Sequence, residues 1–193
     1  DGPGIRVCVF LQGCNLRCAY CHNPETWSMK GGNKFTSKAL YEKIVRYEPF
    51  FKNGGGVTVS GGEPLLQSEF VTKFFTLCKE KGIHTALDTS GSFTPKNLNE
   101  LLSVTDLVLL DVKFTEKGAY KEYSLGDMDK VLDFLKTLDE KKIPVWIRHV
   151  VVPNLTGKEE DILFLKNLKE KYPCIEKIEL LPFRKLCLDK YEE

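Results

Sequence analysis

One rhythm constrains this sequence more than any motif in it. Short apolar, β-branched runs at 5–11, 57–60, 84–88, 107–112, 145–152 and 178–181 alternate with longer stretches whose apolar residues recur at helical spacing. Leu40 and Ile44, Phe70, Phe74 and Leu77, Leu98 and Leu102, Val131, Leu135 and Leu138, and Ile162, Leu165 and Leu168 mark five such stripes. Helix starts are expected at Thr36 or Ser37, at Ser68, at Thr94 ahead of Pro95 and at Thr156, with Gly82 closing the second helix. Strands alternating with helices pair in parallel through right-handed crossovers. Six units fall short of the eight that close a TIM barrel. The expected fold is therefore α/β, a partial, open TIM-like barrel, with no repeat, low-complexity segment or interdomain linker.

At 193 residues and 42% hydrophobic, the chain can bury the core of one such domain. Lys+Arg and Asp+Glu nearly cancel, for a formal charge of +1, so bulk charge marks no nucleic-acid footprint. No run approaches the roughly 20 apolar residues that span a bilayer, and no secretory leader is seen. The chain reads as soluble and cytoplasmic. It starts at Asp1 without Met and stops soon after the sixth strand, so a single domain over 1–193 lacking part of both ends is expected.

Chemistry in such folds collects at the C-terminal ends of the strands. The unusual residues of this chain fall there four times: "CNLRCAYCHNP" (14–24) after the first strand, "SGGEP" (60–64) after the second, "DTSG" (88–91) after the third and "LDVK" (110–113) at the fourth. One rim would carry all of them.

Seven cysteines, three of them within eight positions, favour metal chemistry over a disulfide framework in a chain of this size. Cys18, Cys21 and His22 spell the haem-attachment pattern C-x-x-C-H, but no export signal or helical cytochrome pattern accompanies it. A Cys₃His zinc site suffers because Cys21 and His22 are adjacent, which makes it hard for both to reach one tetrahedral ion. Cys14, Cys18 and Cys21 at C-x₃-C-x₂-C suit three corners of a [4Fe–4S] cube, leaving the fourth iron open. Cys8 and Cys78 read as buried hydrophobes, Cys174 belongs to the opposite rim, and Cys187 is not needed as a ligand.

C-x₃-C-x₂-C with Tyr20 before the last cysteine, together with "GGEP" (61–64), resembles the radical S-adenosylmethionine superfamily. "DGPGIR", "QGCNLRCAYCHNPETW", "GGGVTVSGGEPLLQ", "IHTALDTSG", "DLVLLDVK", "WIRHVVVPN" and "KIELLPF" occur in order and resemble the glycyl-radical-enzyme activase family over nearly the whole chain. That resemblance implies an enzyme in which a reduced [4Fe–4S] cluster cleaves S-adenosylmethionine to methionine and a 5′-deoxyadenosyl radical, which takes a Cα hydrogen from a glycine of a partner glycyl radical enzyme. Pyruvate formate-lyase is the favoured partner, reached through a glycine-bearing loop, with a flavodoxin or ferredoxin as electron donor. No nucleic acid or membrane partner is implied, and the protein is expected to be a monomer.

The same resemblance implies residue roles. Cys14, Cys18 and Cys21 ligate the cluster. Gly61 and Gly62 admit the methionyl moiety, and Glu63 accepts from its ammonium; read alone, the "GGE" stretch is better taken as an ordinary turn. Tyr20 and His22 lie in the adenine-contacting segment, unless Tyr20 is simply a packed aromatic. Asp88, Thr89 and Asp111 hold a monovalent cation near the cofactor carboxylate, which Val112 and Lys113 also approach; a structural Asp–Lys pair is the alternative. Asp1 and Arg148 face the partner's loop, or else a solvated surface and a buried ion pair. Where the family commonly has a histidine after "LLP" and an aromatic, this chain has Arg184. No second cysteine cluster lies between Trp27 and Val57, so the ferredoxin-like insert of some related activases is absent. A non-catalytic iron–sulfur or haem electron carrier is the rival reading; such a carrier has no use for "GGEP" or the strand-end acids.

Overall fold

The computed structural model describes residues 1–185 and 188–191. Cys187, set aside above as a cluster ligand, lies outside the described residues. Six strands, β1 (Arg6–Leu11), β2 (Gly56–Gly61), β3 (His84–Thr89), β4 (Leu107–Asp111), β5 (Val145–Val151) and β6 (Ile175–Pro182), form one parallel sheet in chain order. The sheet is open, with β1 and β6 at its two edges. Between the strands run α1 (Ser37–Ile44), α2 (Ser68–Glu80), α3 (Leu98–Ser103), α4 (Lys117–Ser124), α5 (Met128–Glu140) and α6 (Glu159–Lys171).

Strand periodicity splits the sheet into two faces. Val57, Val59, Leu87, Val108, Leu110, Val145 and Ile147 are fully buried in the main core. They meet the stripes of α2 (Val71, Phe74, Phe75, Cys78) and α5 (Val131, Phe134, Leu135, Leu138). Burying each such side chain contributes roughly 1.5–3 kcal/mol, so this layer holds the sheet in place. The alternate residues, Thr58, Ser60, Ala86, Asp88, Leu109, Asp111, Trp146 and Arg148, share the other face by register. There Ala86, Leu107 and Leu109 form a small apolar floor with Trp146 packed against it.

The elements depart from expectation where side chains compete with the pattern. Thr36 does cap α1, accepting from the amide of Ala39 at 3.1 Å. Ser68 is instead the first residue of α2 and donates its hydroxyl to Asn97 Oδ1 at 2.7 Å, while α3 begins after Asn97 and not at Thr94. Thr156 stops short of α6; its hydroxyl donates to Val150 O and accepts from Val152 N, and Asp161 receives the Lys158 amide at 2.8 Å. Helix α4 was not foreseen because only Tyr120 and Ser124 are buried along it, too few for a stripe. Strand β6 is longer than its apolar half, since Glu176, Lys177 and Glu179 on this edge are tolerated by solvent. Among the described residues no helix is long and apolar enough to cross a membrane.

Candidate active site

The C-terminal ends of the strands surround a cavity of about 400 Å³. Cys14, Cys18 and Cys21 line it from the loop after β1, together with Tyr20 and His22. Gly61 and Gly62 line it from the end of β2, Asp88 and Thr89 from β3, Asp111 and Lys113 from β4, Arg148 from β5, and Asp1 from the start of the chain. Glu63, Val112 and Arg184, expected at the cofactor, do not.

The cysteine loop is held by its own backbone and by its neighbours. Gly13 N donates to Thr26 O at 2.7 Å, Cys14 N to Trp27 O at 3.3 Å, and Arg17 N and Ala19 N to the carbonyls of Ser124 and Tyr123. Outside it sits the 3₁₀ turn Leu188–Tyr191. The Tyr191 hydroxyl donates to Cys21 O at 2.7 Å, and Lys190 Nζ to His22 O, Asn23 Oδ1 and Glu25 Oε1 at 2.6–3.2 Å. The His22 ring stacks on Phe183 at 5.5 Å and its Nε2 donates to Arg184 O at 3.1 Å. Arg184 thus contributes its carbonyl here, and its side chain is exposed.

Burial pushes the thiols up, Cys18 to about 11 and Cys14 and Cys21 in the same direction, so by themselves they stay protonated at neutral pH. A positively charged group held among them is what would make them thiolates. No three His, Cys, Asp or Glu side chains among the described residues converge as ligands of a single ion. Three thiols on one wall of a roomy cavity, not gathered at a point, fit separate corners of an iron–sulfur cube better than a tetrahedral zinc. The Leu16 amide, 3.4 Å from Cys14 Sγ, adds the kind of N–H to sulfur contact that such clusters accept.

Glu63, expected to accept from the cofactor's ammonium, has its carboxylate engaged within the protein. Its side chain is 1% exposed, and its oxygens accept from Leu65 N (3.0 Å), Thr89 Oγ1 (2.5 Å), Ser90 N (3.0 Å) and Ser90 Oγ (2.5 Å). Ser90 Oγ then meets Ser92 Oγ at 2.7 Å, and Asn15 Nδ2 reaches Ser92 Oγ at 3.0 Å. A buried carboxylate with four donors is satisfied, and it fastens the "DTSG" loop to the "GGEP" turn and, through Asn15, to the cysteine loop. The glycines also answer to packing. A Cβ on Gly61 (φ +108°) would stand 2.3 Å from Leu11 N, and one on Gly62 2.0 Å from Gly13 O. Their bareness lets β2 press against the entry to the cysteine loop; it is not the cavity that a side chain there would first strike.

The charged floor is a network. Lys113 Nζ pairs with Asp111 Oδ2 at 2.6 Å, and Arg148 donates to Asp88 Oδ2 at 3.0 Å, with Asp1 Oδ1 at 3.3 Å and Asp111 Oδ1 at 4.0 Å. Burial, and then the like charge of Asp111, push the Asp88 carboxyl up to about 6, against the pull of Arg148 and of the Ser60 hydroxyl at 2.7 Å. Burial is the largest influence on the Lys113 ammonium and would lower it, but the charge and hydrogen bond of Asp111 together with the negative forms of Cys18 and Tyr20 offset it and the group is raised. Asp88 Oδ1 and Arg148 Nε are buried without a hydrogen-bond partner among the described residues. Val112 points away into the core, and its carbonyl accepts from His149 Nδ1 at 2.7 Å.

Sequence reasoning passed over Ser60, Ser90, Asn15, Tyr120 and His149. Ser60 and Asp88 share a strand face, a parity legible in "VSGG" and "LDTS". Nothing in the sequence places Asn15 beside Ser92, since 77 residues separate them.

The sequence matches the Radical SAM superfamily over residues 8–165. It is 50% identical over 194 residues to the pyruvate formate-lyase-activating enzyme of Clostridium pasteurianum, covering 100% of this chain and 81% of that protein. A domain of a pyruvate-formate lyase-activating enzyme from Bacteroides vulgatus aligns with a TM-score of 0.63 at 28% identity, over 68% of this chain and 83% of that one. SuiB of Streptococcus suis bound to S-adenosylmethionine aligns with a TM-score of 0.78 over 95% of this chain and 41% of its own length; at 19% identity that likeness is one of fold.

Proposed function

Because this chain belongs to the Radical SAM superfamily and, within it, to the pyruvate formate-lyase-activating enzymes, we propose that it installs a glycyl radical on a partner enzyme, pyruvate formate-lyase in the first instance. The observation that carries the reading is a single one: three thiols and a network of strand-end acids and cations share one cavity. When bound, a [4Fe–4S] cluster and S-adenosylmethionine supply the chemistry, one-electron cleavage to methionine and a 5′-deoxyadenosyl radical that takes a glycine Cα hydrogen.

The chain's own residues bind and orient. Cys14, Cys18 and Cys21 hold the cluster, and Lys113 attracts the cofactor carboxylate while Asp111 keeps the ammonium charged. With the Glu63 side chain and carbonyl occupied, the backbone of the glycine pair Gly61–Gly62 would accept from the cofactor's ammonium. The unpartnered Oδ1 of Asp88 supports a monovalent cation beside Thr89 and Asp111. Tyr20 and His22 form the wall on which the adenine would rest. Asp1 and Arg148, paired at 3.3 Å, would meet a partner's glycine loop at the rim of the cavity they both line. Such a loop must bring its Cα hydrogen to near-attack distance, about 3–3.5 Å between reacting atoms. A low-potential flavodoxin or ferredoxin would deliver the electron.

The test is anaerobic incubation of reconstituted protein with S-adenosylmethionine, reductant and pyruvate formate-lyase, read by electron paramagnetic resonance. A glycyl radical on the partner is expected. Cofactor cleavage with no radical on any glycyl radical enzyme would remove the activation reading.

A further inference from the structure

Where β4 ends, three consecutive backbone polar groups are taken by side chains in place of a strand neighbour. Val112 O accepts from His149 Nδ1 at 2.7 Å, Lys113 N donates to the Tyr120 hydroxyl at 3.3 Å, and Lys113 O accepts from the Tyr20 hydroxyl at 2.8 Å. Buried backbone groups must find partners, so these three side chains fix the path of the chain just where it turns Lys113 into the cavity. His149 comes from β5 and Tyr120 from α4, both parts of the surrounding barrel. Tyr20 alone comes from the cysteine loop, between Cys18 and Cys21. Its ring is 7% exposed and packs on Phe114 at 5.7 Å, so the hydroxyl is aimed by a buried ring.

We propose that Tyr20 is a positioning residue, whose hydroxyl ties the cluster-holding loop to the peptide of Lys113 and so sets the lysine's distance from the cluster. The assignment rests on the activase reading, since it gives the tie a purpose only if Lys113 meets the carboxylate of S-adenosylmethionine. It goes beyond that reading because it gives the aromatic of the cysteine motif a task independent of any contact with adenine. A lone neutral hydrogen bond of this kind is modest in free energy, so its loss should loosen cofactor affinity without abolishing it.

The test compares the reconstituted parent with Tyr20→Phe, which keeps the ring and removes the tie. Iron and sulfide content should match the parent, and S-adenosylmethionine affinity, followed by its effect on the reduced cluster's paramagnetic signal, should weaken on the order of three- to tenfold. In a Lys113→Ala background Tyr20→Phe should change affinity by less than about twofold, because the tie then positions nothing. Unchanged affinity in Tyr20→Phe, or the same loss persisting without Lys113, overturns the assignment. So does a Tyr20→Phe protein that fails to fold or to load the cluster, since the hydroxyl would then serve the loop itself. A parent that binds neither cluster nor S-adenosylmethionine would instead sink the activase reading, and this assignment with it.

Discussion

Glu63 accepts two hydrogen bonds from one residue, the amide of Ser90 at 3.0 Å and its hydroxyl at 2.5 Å. With Thr89 and Leu65 on the other oxygen, the carboxylate holds two loops together from inside. Glu63→Gln should therefore destabilise the protein even without any cofactor, by about 2–4 kcal/mol, because an amide NH₂ then faces donors. Chemical denaturation of cluster-free protein measures this. Stability equal to the parent, with a defect seen only in S-adenosylmethionine binding, would return Glu63 to the role of ammonium acceptor.

Replacing Cys14, Cys18 or Cys21 by Ala should each abolish cluster loading, measured as iron and acid-labile sulfide under anaerobic conditions. Cys8→Ala, Cys78→Ala and Cys174→Ala should load the parent's amount, since these thiols do not line the cavity. Stoichiometric zinc without sulfide in protein purified under anaerobic conditions would sink the cluster assignment.

Lys113→Met should weaken S-adenosylmethionine binding on the order of tenfold or more, as expected when one partner of a partly buried charge pair is cut away. Arg184→Ala should change it by less than about threefold, because that side chain is exposed. Titration calorimetry of both loaded variants decides the order, and a larger effect at Arg184 would move the carboxylate or ribose contact to β6.

A pH dependence follows from Asp161. Burial alone would raise its carboxyl, but the Thr115 hydroxyl and the Lys158 amide favour the charged form and leave it below the ordinary carboxylate value. The stability this contributes is present above the unfolded value near 4 and is lost as pH falls through the lower folded one. Asp161→Asn should thus cost about 1–2 kcal/mol at pH 7, and the gap should close below about pH 4. A gap that stays constant down to pH 3 would show that the side chain acts by shape alone.

The six strands were legible because their outer faces are continuous apolar runs, and the rim was legible because Cys, Gly and Asp interrupt those runs at one end. The internal partners of Glu63 were not legible because a motif reports which residue is present, not which way it turns; Thr89 and Ser90 lie 26 and 27 residues away. Helix α4 was hidden by the polarity of "KGAYKEYS", although its one fully buried aromatic, Tyr120, helps hold Lys113. Contacts made by a hydroxyl or an imidazole across the sheet carry no periodicity, so no spacing could announce His149 over Val112.

The 3₁₀ turn over the cysteine loop bears on biosynthesis. Tyr191 reaches Cys21 across 170 residues, and Lys190 reaches Glu25 across 165. A chain emerging from the ribosome N-terminus first presents its cysteine loop well before the turn that covers it is made. During that interval the loop lacks the four outer hydrogen bonds that Lys190 and Tyr191 supply. A truncation just before Lys190 would remove these contacts from the cysteine loop.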